Sequence, residues 1–164
     1  MLENHQIELL KTLSNLVGLS GHEEQILQFV SEQLPFCTKE QDKLGSGLFS
    51  LGEGDLSIMF ATHMDEVGFV VSSINERGYV SIQPVGNMWA HTLLQQLVTI
   101  TTTDGRQWTG IIGGPQTHAI SPEARKKVVA MEELFVDLGI DNRESIQEMG
   151  IEVGDVVSLV SICQ

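Results

Sequence analysis

Hydrophobic positions change their period along the 164 residues of this chain. Ile7, Leu10, Leu13 and Val17 recur at the three-to-four spacing of one helix face, and Gly18 is placed to end that helix. Ser20 with Glu23 three residues on forms a capping-box pattern, and Ile26, Phe29, Val30 and Leu34 give the apolar stripe of a second helix, stopped by Pro35. From Leu48 the pattern becomes that of strands. Residues 48–51 are separated by a glycine turn at 52–55 from the run 56–61, whose continuous hydrophobicity predicts a strand covered on both faces, as in an α/β sheet.

Beyond Glu66 the strands are short and evenly spaced. Residues 67–74 and 79–82 flank a turn at 75–78, and 97–102 and 107–112 flank another at 103–106, which predicts two hairpins. A short basic helix is predicted over 124–128 behind Ser121, Pro122 and Glu123. Residues 134–138 read as a strand, Asp141 and Glu144 cap a helix over 145–149 that Gly150 closes, and 156–160 is a last strand. The series predicts a small β-barrel or sandwich, with the boundary to the helix-rich opening near Glu66.

Composition narrows the function. Nine Lys and Arg against 22 Asp and Glu give a formal charge of −13, which repels a phosphate backbone, so a nucleic-acid partner is not expected. The apolar runs are strand-sized, far short of the ~20 residues that span a bilayer, and no basic flank precedes an apolar run at the N-terminus. A cytoplasmic protein with no membrane partner is the expectation. Cys37 and Cys163 lie far apart with no C-x-x-C spacing and read as ordinary thiols.

The candidate chemistry lies just past the apolar run, where open α/β sheets place their ligands. His63 and Asp65, two apart in extended chain, point to one side, so an imidazole and a carboxylate can converge as a metal ligand and the group that orients it. Alone, H-x-D is more often a histidine satisfied by core hydrogen bonds than a metal ligand. Asp65 beside Glu66 invites a paired-carboxylate reading, as in sugar hydrolysis, but strand neighbours point to opposite faces. Trp89 and Trp108 read as barrel packing or interface rather than a sugar platform. His5 and His22, on or beside helices, lack an acidic partner at ligand spacing, His91 lies in a loop of the β-rich part, and no G-x-S-x-G or phosphate loop is present.

The stretch Phe60-Ala61-Thr62-His63-Met64-Asp65-Glu66-Val67-Gly68-Phe69 resembles the A-H-M-D-E-V-G-F motif of the glutamyl and deblocking aminopeptidases, the tetrahedral aminopeptidase group (peptidase family M forty-two). Four further stretches resemble family segments in the same order: 20–23 its S-G-x-E, 42–45 its D-x-L-G-N entry with Ser46 in place of Asn, 134–139 its L-F-I-D-I-G, and 150–155 its G-I-x-I-G-D. His118 sits in a loop resembling the family's P-P-H-L and could line a neighbouring subunit's site. One departure is Thr62, where the family has alanine. The larger one is length, because family members are about twice as long and their D-D-R and E-E segments have no counterpart here.

The resemblance implies α/β plus β architecture: an incomplete α/β metallopeptidase domain over 1–66, a small β-barrel dimerisation insertion over 67–158, and at 159–164 the return to the catalytic domain. It implies hydrolysis of N-terminal residues from peptides with two divalent metal ions, zinc or cobalt, in the full-length family. In that scheme His63 is a metal ligand and Asp65 the catalytic-site carboxylate that orients His63 or the metals. The chain alone is expected to hold no metal and to be inactive. It is expected to form a homo-oligomer through the barrel. The alternatives are a non-catalytic barrel module for assembly and a glucanase-labelled homologue.

Overall fold

A computed structural model of the chain describes residues 3–115, 121, 123 and 126–160. Its contacts divide into two compact units, one ending at Glu66 and the other spanning Val67–Val160. No helix is long and apolar enough to cross a membrane among the described residues.

The first unit holds α1 (Asn4–Asn15), α2 (Glu24–Gln33) and a hairpin of β1 (Thr38–Gln41) with β2 (Gly47–Ser50). Helix α1 stops before Val17, and Gly18 is not its stop signal. No residue of α1 is buried, and Leu10 on its apolar stripe is exposed. Helix α2 buries Ile26 and Leu27. The Ser20–Glu23 capping box does not form: the helix begins at Glu24, and the Glu23 carboxylate accepts from the Gly21 N–H at 3.0 Å. Strand β1 lacks an apolar alternation and went unpredicted. Its hairpin is set by Asp42, whose carboxylate accepts from the N–H groups of Leu44 (2.9 Å) and Ser46 (2.8 Å). The hydrogen bond from the Ser46 backbone, first among its causes, holds the Asp42 carboxyl below its ordinary pKa.

The predicted strand at 56–61 is absent. Leu56, Ile58, Met59 and Phe60 are 82%, 74%, 87% and 94% exposed, and no strand pairs with them among the described residues. A run apolar on both faces requires cover on both faces, and the described residues supply neither sheet neighbours nor helices to provide it.

The second unit is a closed barrel of six antiparallel strands. These are β3 (Gly68–Ile74), β4 (Val80–Val85), β5 (Leu97–Thr101), β6 (Gln107–Gly113), β7 (Phe135–Asp137) and β8 (Val156–Leu159), joined in the order β3-β4-β7-β6-β5-β8. Closure leaves no open edge. Register stacks the inward residues: Phe69 and Ile100 both lie opposite Val157, and Val80 and Ile112 both lie opposite Val136. All six are fully or almost fully buried. A short helix, α3 (Arg143–Glu148), plugs the core with Ile146. Its N-cap is Asn142, whose side chain accepts from the Ser145 N–H, rather than Asp141. The predicted helix over 124–128 falls partly outside the described residues.

Asp155, from the 150–155 stretch, is buried and accepts from the N–H groups of Glu152 (2.8 Å) and Thr103 (3.2 Å), tying the β5–β6 turn to the entry of β8. Trp108 packs against the core and donates to the Met149 carbonyl at 3.2 Å, whereas Trp89 is exposed with its ring edge-on to His91.

Gly78 closes the β3–β4 turn at φ +77°, and a Cβ there would stand 2.3 Å from the Ile140 carbonyl oxygen and 3.2 Å from the Asn142 nitrogen. Gly105, at φ +84°, has open space around it. Gly105→Ala therefore costs about 1 kcal/mol from backbone conformation alone. Gly78→Ala costs about 3 kcal/mol because strain and a backbone clash combine. Equilibrium urea unfolding of the two variants should rank them in that order.

Candidate functional site

The chain leaves the exposed apolar run and bends into His63-Met64-Asp65-Glu66, which two sets of hydrogen bonds lay against the segment between α1 and α2. Glu66 pairs in parallel with Leu19, and its N–H donates to the Gly18 carbonyl at 2.7 Å. The Glu66 side chain completes the clamp by accepting from the Gly18 N–H at 3.2 Å. Gly18 is needed here for close approach: a Cβ would meet the Ile26 side chain at 2.2 Å and the Met64 carbonyl oxygen at 3.2 Å. Leu19, 1% exposed, anchors the segment.

On this support the structure brings His63 and Asp65 together. His63 Nδ1 lies 3.0 Å from Asp65 Oδ1 and 3.0 Å from the Asp65 carbonyl oxygen. Both neighbours are acceptors only, so Nδ1 carries the hydrogen and the lone pair of the neutral ring is on Nε2. The other carboxylate oxygen, Oδ2, accepts from the Ser20 hydroxyl. That bond, and secondarily the one to His63, holds the Asp65 carboxyl below its ordinary pKa. The His63 side chain is 83% exposed, so Nε2 is open to a cation or to a proton.

Ser20 is the member that sequence reasoning misassigned. Read as a helix cap, its hydroxyl instead serves Asp65, and the only signal for this was its place in a stretch resembling the family's S-G-x-E. Glu66 and Asp65 do not form a pair of reacting carboxylates, since the Glu66 carboxylate is engaged with Gly18. Thr62 donates to the His63 carbonyl at 3.3 Å. His5 lies 3.3 Å from Glu3, and His91 lies edge-on against Trp89. His118 and Cys163 are outside the described residues. Cys37 is a free, half-buried thiol. Among the described residues no three His, Cys, Asp or Glu side chains converge to hold a metal ion.

Comparison with known proteins gives this pair its context. The profile of the M42 glutamyl aminopeptidases matches residues 45–163. The chain belongs to this family. FrvX of Escherichia coli K12 is 32% identical over 154 residues, 93% of this chain and 43% of its own length. Among solved structures, the TET aminopeptidase from the marine sediment archaeon Thaumarchaeota archaeon SCGC AB-539-E09 is 36% identical at TM-score 0.89, over 98% of this chain and 47% of that one. The TET1 peptidase of Pyrococcus horikoshii, which can assemble into a tetrahedron or a large octahedral shell, is 30% identical at TM-score 0.82, over 93% and 46%. A Thermotoga maritima protein named as an endoglucanase is also similar, 30% identical at TM-score 0.73, over 93% and 45%. The M42 chain described here thus spans less than half the length of the relatives it matches.

Proposed function

We propose that this chain is the N-terminal portion of a metal-dependent aminopeptidase that removes N-terminal residues from peptides, and that it is inactive alone. The observation that carries the reading is the His63–Asp65 pair at the family motif, with Nδ1 fixed by two acceptors and Nε2 left open. Such a donor fits one position of a metal site and not a whole one, because a hydrolytic zinc requires about three protein ligands. In this proposal His63 is a ligand of one of two divalent ions, zinc or cobalt, and Asp65 orients it. Bound ions would activate the attacking water. The remaining ligands and the base belong to family segments outside this sequence. The barrel over 67–158 acts as the dimerisation insertion, and the full protein is a homo-oligomer, a reading supported by the assemblies named for the Pyrococcus horikoshii relative.

The second reading, a barrel module that acts by assembly alone, is favoured by one observation: the barrel is closed around a buried core while the run at 56–61 lies uncovered. One assay separates the two. The purified chain with added zinc or cobalt is expected to release no amino acid from aminoacyl substrates above a His63→Ala control. Extended in frame through the D-D-R and E-E segments it should do so, and His63→Ala should then reduce the rate by at least about 100-fold. Turnover by the chain alone would overturn the proposal, and an inactive extended chain would leave the assembly module as its function.

A further inference from the structure

We propose that Ser20 is a positioning residue of the His63 site, acting through Asp65 to hold the imidazole in a single tautomer and orientation. The inference rests on the proposed role of His63. A half-exposed aspartate side chain has freedom about two torsions, and a place two residues from His63 puts it on the same side without fixing the plane of its carboxylate. Here the two carboxylate oxygens are divided between partners. Oδ1 accepts from His63 Nδ1 at 3.0 Å, and Oδ2 accepts from the Ser20 hydroxyl. Each bond fixes the plane in which the other forms.

Ser20 can do this only because its own backbone is held. Leu19 is 1% exposed and bridged to Glu66, while Gly18 is gripped from both sides, its carbonyl accepting from the Glu66 N–H and its N–H donating to the Glu66 carboxylate. The residues flanking the H-x-D stretch and the serine are therefore held together, and the Ser20 hydroxyl serves the site rather than the start of α2. With Nδ1 facing two acceptors, the ring presents an Nε2 lone pair outward. Without the serine the Asp65 carboxylate is free to rotate, the backbone carbonyl is left as the one fixed acceptor of Nδ1, and the imidazole moves toward the mixed tautomers of a less constrained ring.

The test is nitrogen-15 NMR of the His63 ring in the full chain at pH 8, where a free imidazole is neutral. The wild-type chain is expected to show the tautomer protonated at Nδ1. Ser20→Ala should shift both ring nitrogens toward the mixture of a free imidazole, and Ser20→Thr, which restores a hydroxyl, should return them. The amide resonances of residues 18, 19 and 66 should be unchanged in both variants, which separates loss of the hydroxyl from loss of the clamp. Asp65→Ala, which leaves only the backbone carbonyl, serves as the reference for a ring without its carboxylate. If Asp65→Ala shifts the ring nitrogens and Ser20→Ala does not, the role of Ser20 is overturned while the His63–Asp65 pair stands, and if neither does, the backbone carbonyl alone holds the ring and the proposal falls. If Ser20→Thr fails to restore the wild-type spectrum, the hydroxyl is not the agent and the proposal also falls. Because no bound metal or turnover is read, failure of the aminopeptidase reading would show only in the activity assay.

Discussion

Phe69→Ala is expected to lower the stability of the barrel by about 3–5 kcal/mol, a large share of the roughly 5–15 kcal/mol that holds an ordinary domain together. Phe69 is 0% exposed and is the largest of the side chains fully enclosed in the barrel. It lies opposite Pro84 on β4 and Val157 on β8, so its ring fills the space where the ladder of β3 meets both neighbours. Truncation removes that contact from three strands at once, and a closed barrel cannot collapse onto the void without breaking its register. Urea unfolding followed by Trp108 fluorescence should show a lower midpoint with an unchanged slope, the sign of lost stability rather than altered compactness. Phe69→Leu, which keeps most of the volume, should lose much less. A loss below about 1 kcal/mol for the alanine variant would mean that the barrel is not organised around this ring.

Substituting Ile58 and Phe60 together by lysine is expected to abolish most of the non-specific association of the chain. Residues 56–61 form a six-residue window rich in β-forming and apolar side chains, without charge or proline, which is the composition that drives strand-to-strand aggregation when exposed. Ile58 and Phe60 are 74% and 94% exposed, and neither has a ladder partner among the described residues. Two charges placed inside the window favour solvation of the segment over stacking on a second copy. Light scattering at micromolar concentration should resolve large, time-dependent species in the parent chain and a discrete small oligomer in the variant. Unchanged scattering would place the association elsewhere, with Trp89, exposed on the barrel, as the next residue to replace.

Two hairpins of the barrel are written locally in the chain. Period-two alternation, the Asn75 and Asp104 turns and the glycines at 78 and 105 are local instructions, and each hairpin carries its own register, so β3–β4 and β5–β6 were legible to within three residues at every end. The H-x-D pair was legible for the same reason, since both members lie within three residues. Other features were decided only in three dimensions. The insertion of β7 between β4 and β6, and of β8 between β3 and β5, closes the barrel through pairings distant in the chain, which no local pattern encodes. Strand β1 exists because Asp42 turns the chain back onto β2, not because its own residues alternate. The opposite error arose at 56–61, where continuous hydrophobicity encodes a demand for cover on both faces, and a demand forms no strand until neighbours meet it. Ser20 shows the same division most plainly. Its spacing to Glu23 is that of a cap, but its hydroxyl reaches Asp65, 45 residues away, because the Gly18–Glu66 clamp brings the two segments together. As a cap the Ser20 oxygen would accept from a backbone N–H, whereas here its hydroxyl donates to a charged carboxylate that the fold holds in place.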